Sequence, residues 1–410
     1  MKSPLTILTI ILVVIILIFA VSFLFPSYNE IKIGVILSFT GDLASYGSPL
    51  YDAASLAVND INNAGGVLGA KVVLVPIDDT STPEGAKEAM KKMKDQNIQI
   101  VIGPLGSGMA LSALEVAKQY NILMISPSAT SPTLTKADDK NLFFRTVASD
   151  ALQGKAMAKL ATDKGFKSAS TLVIDNAYGT GIEEVFTQEF TKLGGKVISN
   201  VRYSSDSSDF TKEIDEISKG NPDVIVLVGY PESGAKILKT AYEKGVLNKF
   251  YWIFSEGLAV PELANSVGKD SSGRFIVAGM GGTQPDPRAI GPSYNDFATQ
   301  YKSVYKRDPI VFAGNIYDAV VVAALATQKA GRYDGAAIAK AIPSVTNPPG
   351  DKVTDIATAL GAIKAGKKIN YEGASSDLTF DENGDVYGEY CEWTIGEDGN
   401  IKLGSSIKIT

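Results

Sequence analysis

The five residues Val224–Val228 (VIVLV) carry no polar side chain. A strand with one face in water alternates apolar and polar residues. An unbroken apolar strand instead needs cover on both faces, as at the centre of a parallel sheet flanked by helices. The chain must therefore supply helices between its strands, and the stretch 31–77 shows one such unit. Ile31, Ile33, Val35 and Leu37 form a β-branched-rich run, and Gly41 and Gly47 open a loop. Ala53, Ala54, Ala57, Val58 and Ile61 then recur at helical spacing, and Gly65-Gly66 stop the helix before a second strand at 71–77. The alternation continues, with strands expected at 98–103, 122–126, 142–146, 171–174, Lys196–Tyr203 and Tyr251–Phe254. Helices are expected between them at 109–120, 152–164, 181–193, 210–219 and 232–244. The fold class is α/β, built on doubly wound parallel sheets.

So many strands divide better into two lobes than into one sheet. We expect residues 29–148 and 280–376 in the first lobe, and 149–279 with 377–410 in the second. The glycine- and proline-rich stretch 278–286 reads as a crossing back, after which helices at 294–305 and 313–329 rejoin the first lobe. The last part changes style, with antiparallel strands expected at 378–381, 386–395 and 401–409. The turn at 381–385 (DENGD) lacks the glycine position and the closing glutamate of a calcium loop and reads as a hairpin turn. Residues 343–373 give no clear pattern, and NPPGDK within them reads as surface loop.

Composition removes whole classes of function. The 410-residue chain has no histidine, so histidine triads, relays and metal sites are excluded. Its one cysteine, Cys391, allows neither an intrachain disulfide nor a cysteine-ligated metal, and its alternating VYGEYCEWTI setting suits a small buried hydrophobe. The net charge of -6 is spread along the chain with no basic block, which argues against nucleic acid as a partner. Residues 5–25 are nearly all apolar, longer than a typical signal core and long enough to span a bilayer. With Lys2 ahead of them, they read as an uncleaved signal-anchor (1–28), with a cleaved signal peptide as the alternative; either puts the globular part outside the cytoplasm.

Three loops carry candidate binding groups. GPLGSGMALS (103–112) joins a strand to a helix without the ending of a P-loop or the spacing of a dinucleotide fingerprint. Its Ser107, at a helix start, can offer a hydroxyl and amides to an anion. SPSATSPTLT (126–135) follows the next strand and brings Ser128 and Thr130 to the same sheet edge. Glu256 follows the strand YWIF and is either a helix-capping acid or a partner for a cation. Neutral donors on one side and a carboxylate on the other describe a receptor for a zwitterion.

In this order, and at these strand ends, the residues resemble the amino-acid-binding receptors of ABC importers, the leucine/isoleucine/valine-binding proteins of the type I periplasmic binding fold, over residues 31–395. The resemblance implies that Ser107 (in LGS, beside Leu105 and Gly106) and Thr130 (in SPSAT, with Ser128) hold a ligand carboxylate. It implies that Glu256 holds the ammonium, and that Tyr46, Tyr178, Tyr230 and Tyr317 form aromatic walls. A hinge closing two lobes over a free amino acid, delivery to a membrane permease with its ATPases, a monomeric state and no cofactor are implied in the same way. Amides or urea as ligand, and a sensory role, stay open. Where bacterial relatives carry a disulfide near the serine loop, this chain has Ser81 and Gly106, which leaves that rim without a covalent tie. An enzyme on this scaffold would need a carboxylate, lysine or metal mechanism, and no paired carboxylates stand out in the sequence.

Overall fold

In the computed structural model of the chain, residues 28–290, 292–375 and 377–409 are described. Strands β1 (Glu30–Leu37), β2 (Lys71–Asp78), β3 (Ile100–Ile102), β4 (Leu123–Ser126) and β5 (Phe143–Arg145) form a parallel sheet in the order β2-β1-β3-β4-β5. A second sheet begins with β6 (Ser168–Ile174), β7 (Lys196–Tyr203), β8 (Val224–Val228), β9 (Tyr251–Phe254) and β10 (Gly281–Pro285). A short pair, β11 (Asp351–Val353) and β12 (Ile369–Tyr371), stands apart, and β13 (Tyr390–Ile395) and β14 (Ile401–Ile407) complete the second sheet. Its order is β14-β13-β10-β9-β8-β6-β7, parallel from β7 through β10 and antiparallel over β13 and β14. All five residues of β8 are buried, as an all-apolar strand demands, at roughly 1.5–3 kcal/mol per large aliphatic side chain.

Each strand order reverses once, between β1 and β3 in the first sheet and between β6 and β8 in the second. Crevices form at the carboxyl ends of strands at such reversals, so the loops after β1, β3, β6 and β8 are where a ligand can be met. The helix Ala313–Ala330 packs on the first sheet against β3, β4 and the helix Ala44–Asn63, with nearly all of its first four turns buried.

Several expectations need correction. The crossing expected at 278–286 is instead β10, a strand paired with β9 and β13, so the chain leaves the second sheet only after Pro285. Residues 378–381 are not a strand, since Leu378 has φ 53 and breaks extended pairing. The strand expected over 386–395 starts at Tyr390, leaving Val386 as an isolated bridge to Ala148. Residues 343–373 hold two short helices (Pro343–Thr346 and Ile356–Lys364) and the β11–β12 pair. Cys391 is free and buried. The apolar segment 5–25 lies outside the described residues, among which no helix is long and apolar enough to cross a membrane.

The turn at 381–385 is not a hairpin. Asp381 Oδ1 accepts from the amides of Asn383 and Asp385, and this presents Asp385 to Arg145 at the end of β5. The fully buried Arg145 donates from Nε and Nη2 to the two carboxylate oxygens of Asp385 at 2.6 and 2.7 Å. It also donates to the carbonyls of Ala129 and Ser131 and to Thr135 Oγ1. One guanidinium thus pins the loop after β4 to the C-terminal part of the chain.

Candidate functional site

The loops after β3 and β4 are knitted by short bonds. Ser126 Oγ donates to Pro104 O at 2.7 Å, and Ser128 Oγ donates to Leu105 O at 3.0 Å. The helix Ser107–Tyr120 starts here behind Gly106, which supplies no side-chain cap. Ser107 Oγ accepts from Ser131 N at 3.1 Å, so its own proton is left to donate. Thr130 is fully buried, and its Oγ1 has no hydrogen-bond partner among the described residues. The uncapped amides, the Ser107 proton and the helix dipole make this corner a seat for an anion. A Cβ on Gly106 would meet Met109 Cε at 2.1 Å, so any larger residue there requires the flexible Met109 side chain to move.

The second sheet supplies the facing wall. Tyr178 follows β6, with Asn176 Oδ1 capping its helix by accepting from the amides of Tyr178 and Gly179. Tyr230 follows β8, and its ring stacks on Tyr178 at 5.5 Å with an interplanar angle of 7°. Glu256 opens the short turn after β9 and is 2% exposed. Together with Leu43, Tyr46, Leu105, Gly106, Ser107, Ser128, Gly257 and Phe312, these residues surround a cavity of about 20 Å³. That is room for about one water molecule, so the lobes must part before a small molecule can enter. The cleft is shut, since Tyr46 Oη donates to Glu256 O at 3.1 Å and Ser131 Oγ donates to Ala177 O at 2.7 Å, each bond joining the two sheets' loops.

Charge in this space is unbalanced. Glu256 Oε2 has no hydrogen-bond partner among the described residues, and no lysine or arginine lines the cavity. Burial pushes the Glu256 carboxyl up to about 7, with nearby Tyr178 and Gln153 offsetting part of the effect. Asp150 is fully buried with both carboxylate oxygens unpartnered, and burial followed by the negative charge of Glu256 holds its pKa well above the usual range. Thr130 and Arg145 are close enough to offset part of that. The sequence reading saw no paired carboxylates, whereas the fold brings these two together. Among the described residues no group of three or more acidic or cysteine side chains is placed to hold a metal.

Of the ten residues proposed from sequence, Leu105, Gly106, Ser107, Ser128, Tyr46, Tyr178, Tyr230 and Glu256 line this one cavity, while Thr130 and Tyr317 do not. Thr130 lies in the loop after β4, with its carbonyl accepting from Asp150 N at 2.8 Å. Tyr317 points away: its hydroxyl donates to Asp60 Oδ2 at 2.8 Å and its ring packs on Phe297. The aromatic contributed by that part of the chain is Phe312, the residue before the helix Ala313–Ala330, held at φ 71 against Tyr46. Ser81, at the rim without a covalent tie, is bonded instead to the loop after β1, with its Oγ donating to Thr40 O at 2.7 Å and accepting from Leu43 N at 3.0 Å.

The family model described as "Periplasmic binding protein" matches residues 30–366. A Leu/Ile/Val-binding protein of Rhizobium johnstonii is 30% identical over 358 residues, 86% of this chain and 90% of that protein. A Leu/Ile/Val-binding protein of Citrobacter freundii is 31% identical over 249 residues, 60% of this chain and 67% of that protein. The crystal structure of a leucine-binding protein from Thermotoga maritima superposes with a TM-score of 0.78 at 27% identity, covering 92% of this chain and 99% of that one. A solute-binding protein from Rhodopseudomonas palustris in complex with benzoate shares the fold, with a TM-score of 0.75 at 18% identity over 93% of this chain and 97% of that one. These relatives are named as binding proteins, not enzymes. With its two sheet lobes closed over a small cavity, the chain belongs to the periplasmic binding protein family and is related to its branched-chain amino-acid receptors.

Proposed function

We propose that the protein is the extracytoplasmic receptor of an ABC importer and binds a free α-amino acid of the branched-chain type. The observation that carries this reading is the pairing of an uncapped helix start at Ser107 with the unpartnered, buried Glu256 across a shut cavity. The ligand carboxylate lies on the Ser107 hydroxyl and amides, with Thr130 beside them. The ammonium meets Glu256 in the field of Asp150, and the side chain is walled by Leu105, Tyr46, Tyr178, Tyr230 and Phe312. A benzoate-like ligand has an anion but no cation, and would leave Glu256 and Asp150 buried without a counter-charge. Residues 29–148 with 286–376 form one lobe, and 149–285 with 377–410 the other. The ligand docks on the first, and the second closes over it because the closed form gains contacts to both. A permease with its ATPases receives the closed form, and residues 5–25 hold the monomer at the outer membrane face. No cofactor takes part.

Thermal shift and calorimetry with leucine, isoleucine and valine test this reading, with isopentylamine, leucine methyl ester, acetamide, urea and benzoate as comparisons. Ligand at 100 times its dissociation constant should add about 2.7 kcal/mol to stability. The amine and the ester should be far weaker, because each unpaired buried donor costs about 1–3 kcal/mol. Binding of benzoate or urea in place of any amino acid would overturn the proposal. Fractionation of native cells, with N-terminal sequencing, tests the anchor: an intact start in the membrane is expected, and a start within residues 20–28 would show cleavage.

The raised Glu256 carboxyl gives a pH prediction. In the folded protein it holds a proton up to about pH 7, against about 4.5 for an unperturbed glutamate, so its buried charge is destabilising above pH 7 and relieved as pH falls towards 4.5. An ammonium ligand needs the ionised form. Binding at pH 6 should therefore release a proton, and affinity should fall by up to about tenfold for each pH unit below 7. Calorimetry at pH 6 in buffers of different ionisation enthalpy reads this directly; the absence of proton release there would place the ammonium elsewhere.

A further inference from the structure

The helix Pro231–Glu243 of the second lobe begins at Tyr230, whose own side chain supplies no cap. Its cap comes from the other lobe. Asp42, in the loop after β1, accepts from Ser233 N at 2.7 Å through Oδ1 and from Ser233 Oγ at 2.8 Å through Oδ2. Asp42 is itself held on a rigid mount. Asp78 Oδ1 accepts from Phe39 N at 2.9 Å, Asp78 Oδ2 accepts from Thr40 Oγ1 at 2.7 Å, and Ser81 is bonded to Thr40 O and Leu43 N. Ser233 is 1% exposed and Asp42 half-buried at the cleft edge. We propose that Asp42 is a positioning residue of the closed receptor: it caps in trans the helix that carries Tyr230, latching the lobes together without touching the ligand.

The physics is that of a helix N-terminus. The first turn of a helix leaves amides unpaired and carries a partial positive charge, which a carboxylate satisfies with charge-assisted bonds. These bonds exist only when the lobes are shut, because the two partners sit on different sheets. In the open form Asp42 and the Ser233 amide return to water. The latch therefore adds to the population of the closed, binding-competent state and fixes the Tyr230 ring in the cavity wall. Observed affinity scales with that population. The Ser233 hydroxyl is a lesser part of the device, because it also lies 3.4 Å from both Tyr230 O and Tyr203 Oη within its own lobe.

The proposal rests on the amino-acid-receptor reading for its kinetic arm only. In stopped-flow measurements, Asp42→Ala should speed leucine dissociation by about tenfold to a hundredfold, as expected when bonds to a charged acceptor are lost, with association unchanged. Ser233→Ala should have a smaller effect, because its amide still reaches Asp42, and combined with Asp42→Ala it should add nothing. The second arm is hydrogen exchange of the wild-type protein, where the Ser233 amide should be protected. Asp42→Ala should remove that protection and leave Ile237 and Leu238, further along the same helix, unchanged. If leucine fails to bind the wild type, the ligand reading falls and exchange at Ser233 alone decides on the latch. An unprotected Ser233 amide in the wild type, or protection unchanged in the variant, overturns the proposal; so does a leucine dissociation rate that Asp42→Ala leaves within about twofold.

Discussion

Glu256→Gln is expected to weaken leucine binding by at least about a hundredfold. The substitution keeps size and shape and removes only the charge that, in the proposed complex, faces the ammonium. Breaking a buried pair by removing one partner costs about 3–5 kcal/mol, and each 1.4 kcal/mol is a factor of about ten. Ser107→Ala should do less, about 1–1.5 kcal/mol, because the hydroxyl is a neutral donor and the helix-start amides remain. The melting temperature of the ligand-free variant should not fall, since at neutral pH it loses a buried charge whose Oε2 has no hydrogen-bond partner among the described residues. Titration calorimetry at pH 8, where the wild-type carboxyl is ionised, is the measurement. Unchanged affinity would mean that Glu256 serves only its local turn. Leucine chemically altered by the wild type and untouched by the variant would instead argue for catalysis.

Arg145→Met should be the most destabilising single change outside the cavity. Methionine fills much of the volume, but it strands Asp385, whose side chain is 11% exposed, and removes donors from Ala129 O, Ser131 O and Thr135 Oγ1. A loss of about 3–5 kcal/mol in unfolding free energy is expected, with a clear recovery when Asp385→Asn is added, because the second change removes the stranded charge. Urea unfolding followed by far-UV circular dichroism reads both. A loss below about 1 kcal/mol would mean that solvent replaces the guanidinium easily, as at surface pairs. Leucine affinity should fall as well, since the same guanidinium holds the carbonyls on either side of Thr130.

The central strands could be read because burial on both faces leaves no freedom in residue type, as β8 shows. The strand β10 (GGTQP) was hidden by the same kind of packing taken further. A Cβ at Gly281 would lie 1.9 Å from Trp393 O, and one at Gly282 would lie 1.7 Å from Phe254 O. Glycine there answers close approach of neighbouring backbone, yet in sequence it reads as a linker. Strands β11 and β12 are three residues each, too short to show a period. In the cavity, Leu105, Gly106 and Ser107 of LGS and Ser128 of SPSAT could be named from sequence, and all four line it. Asp150 could not, because its importance comes from lying close to Glu256 in space and not in sequence. Tyr317 was named only through the family resemblance, and nothing in the sequence singled out Phe312. The wall is instead made by the residue at the helix start, where the backbone turns towards the cleft.

The first sheet is complete in sequence by Arg145, yet the helix Ala313–Ala330 that covers it against β3 and β4 leaves the ribosome only after every parallel strand of the second sheet. At roughly 5–20 residues per second, an apolar sheet face waits on the order of ten seconds or more for its cover. Through that interval the nascent chain has no finished lobe, and the face of the first sheet that this helix covers stays open to solvent. Moving the 313–330 segment ahead of β6 by circular permutation would let the first lobe close early, and export of such a chain would then compete with its own folding.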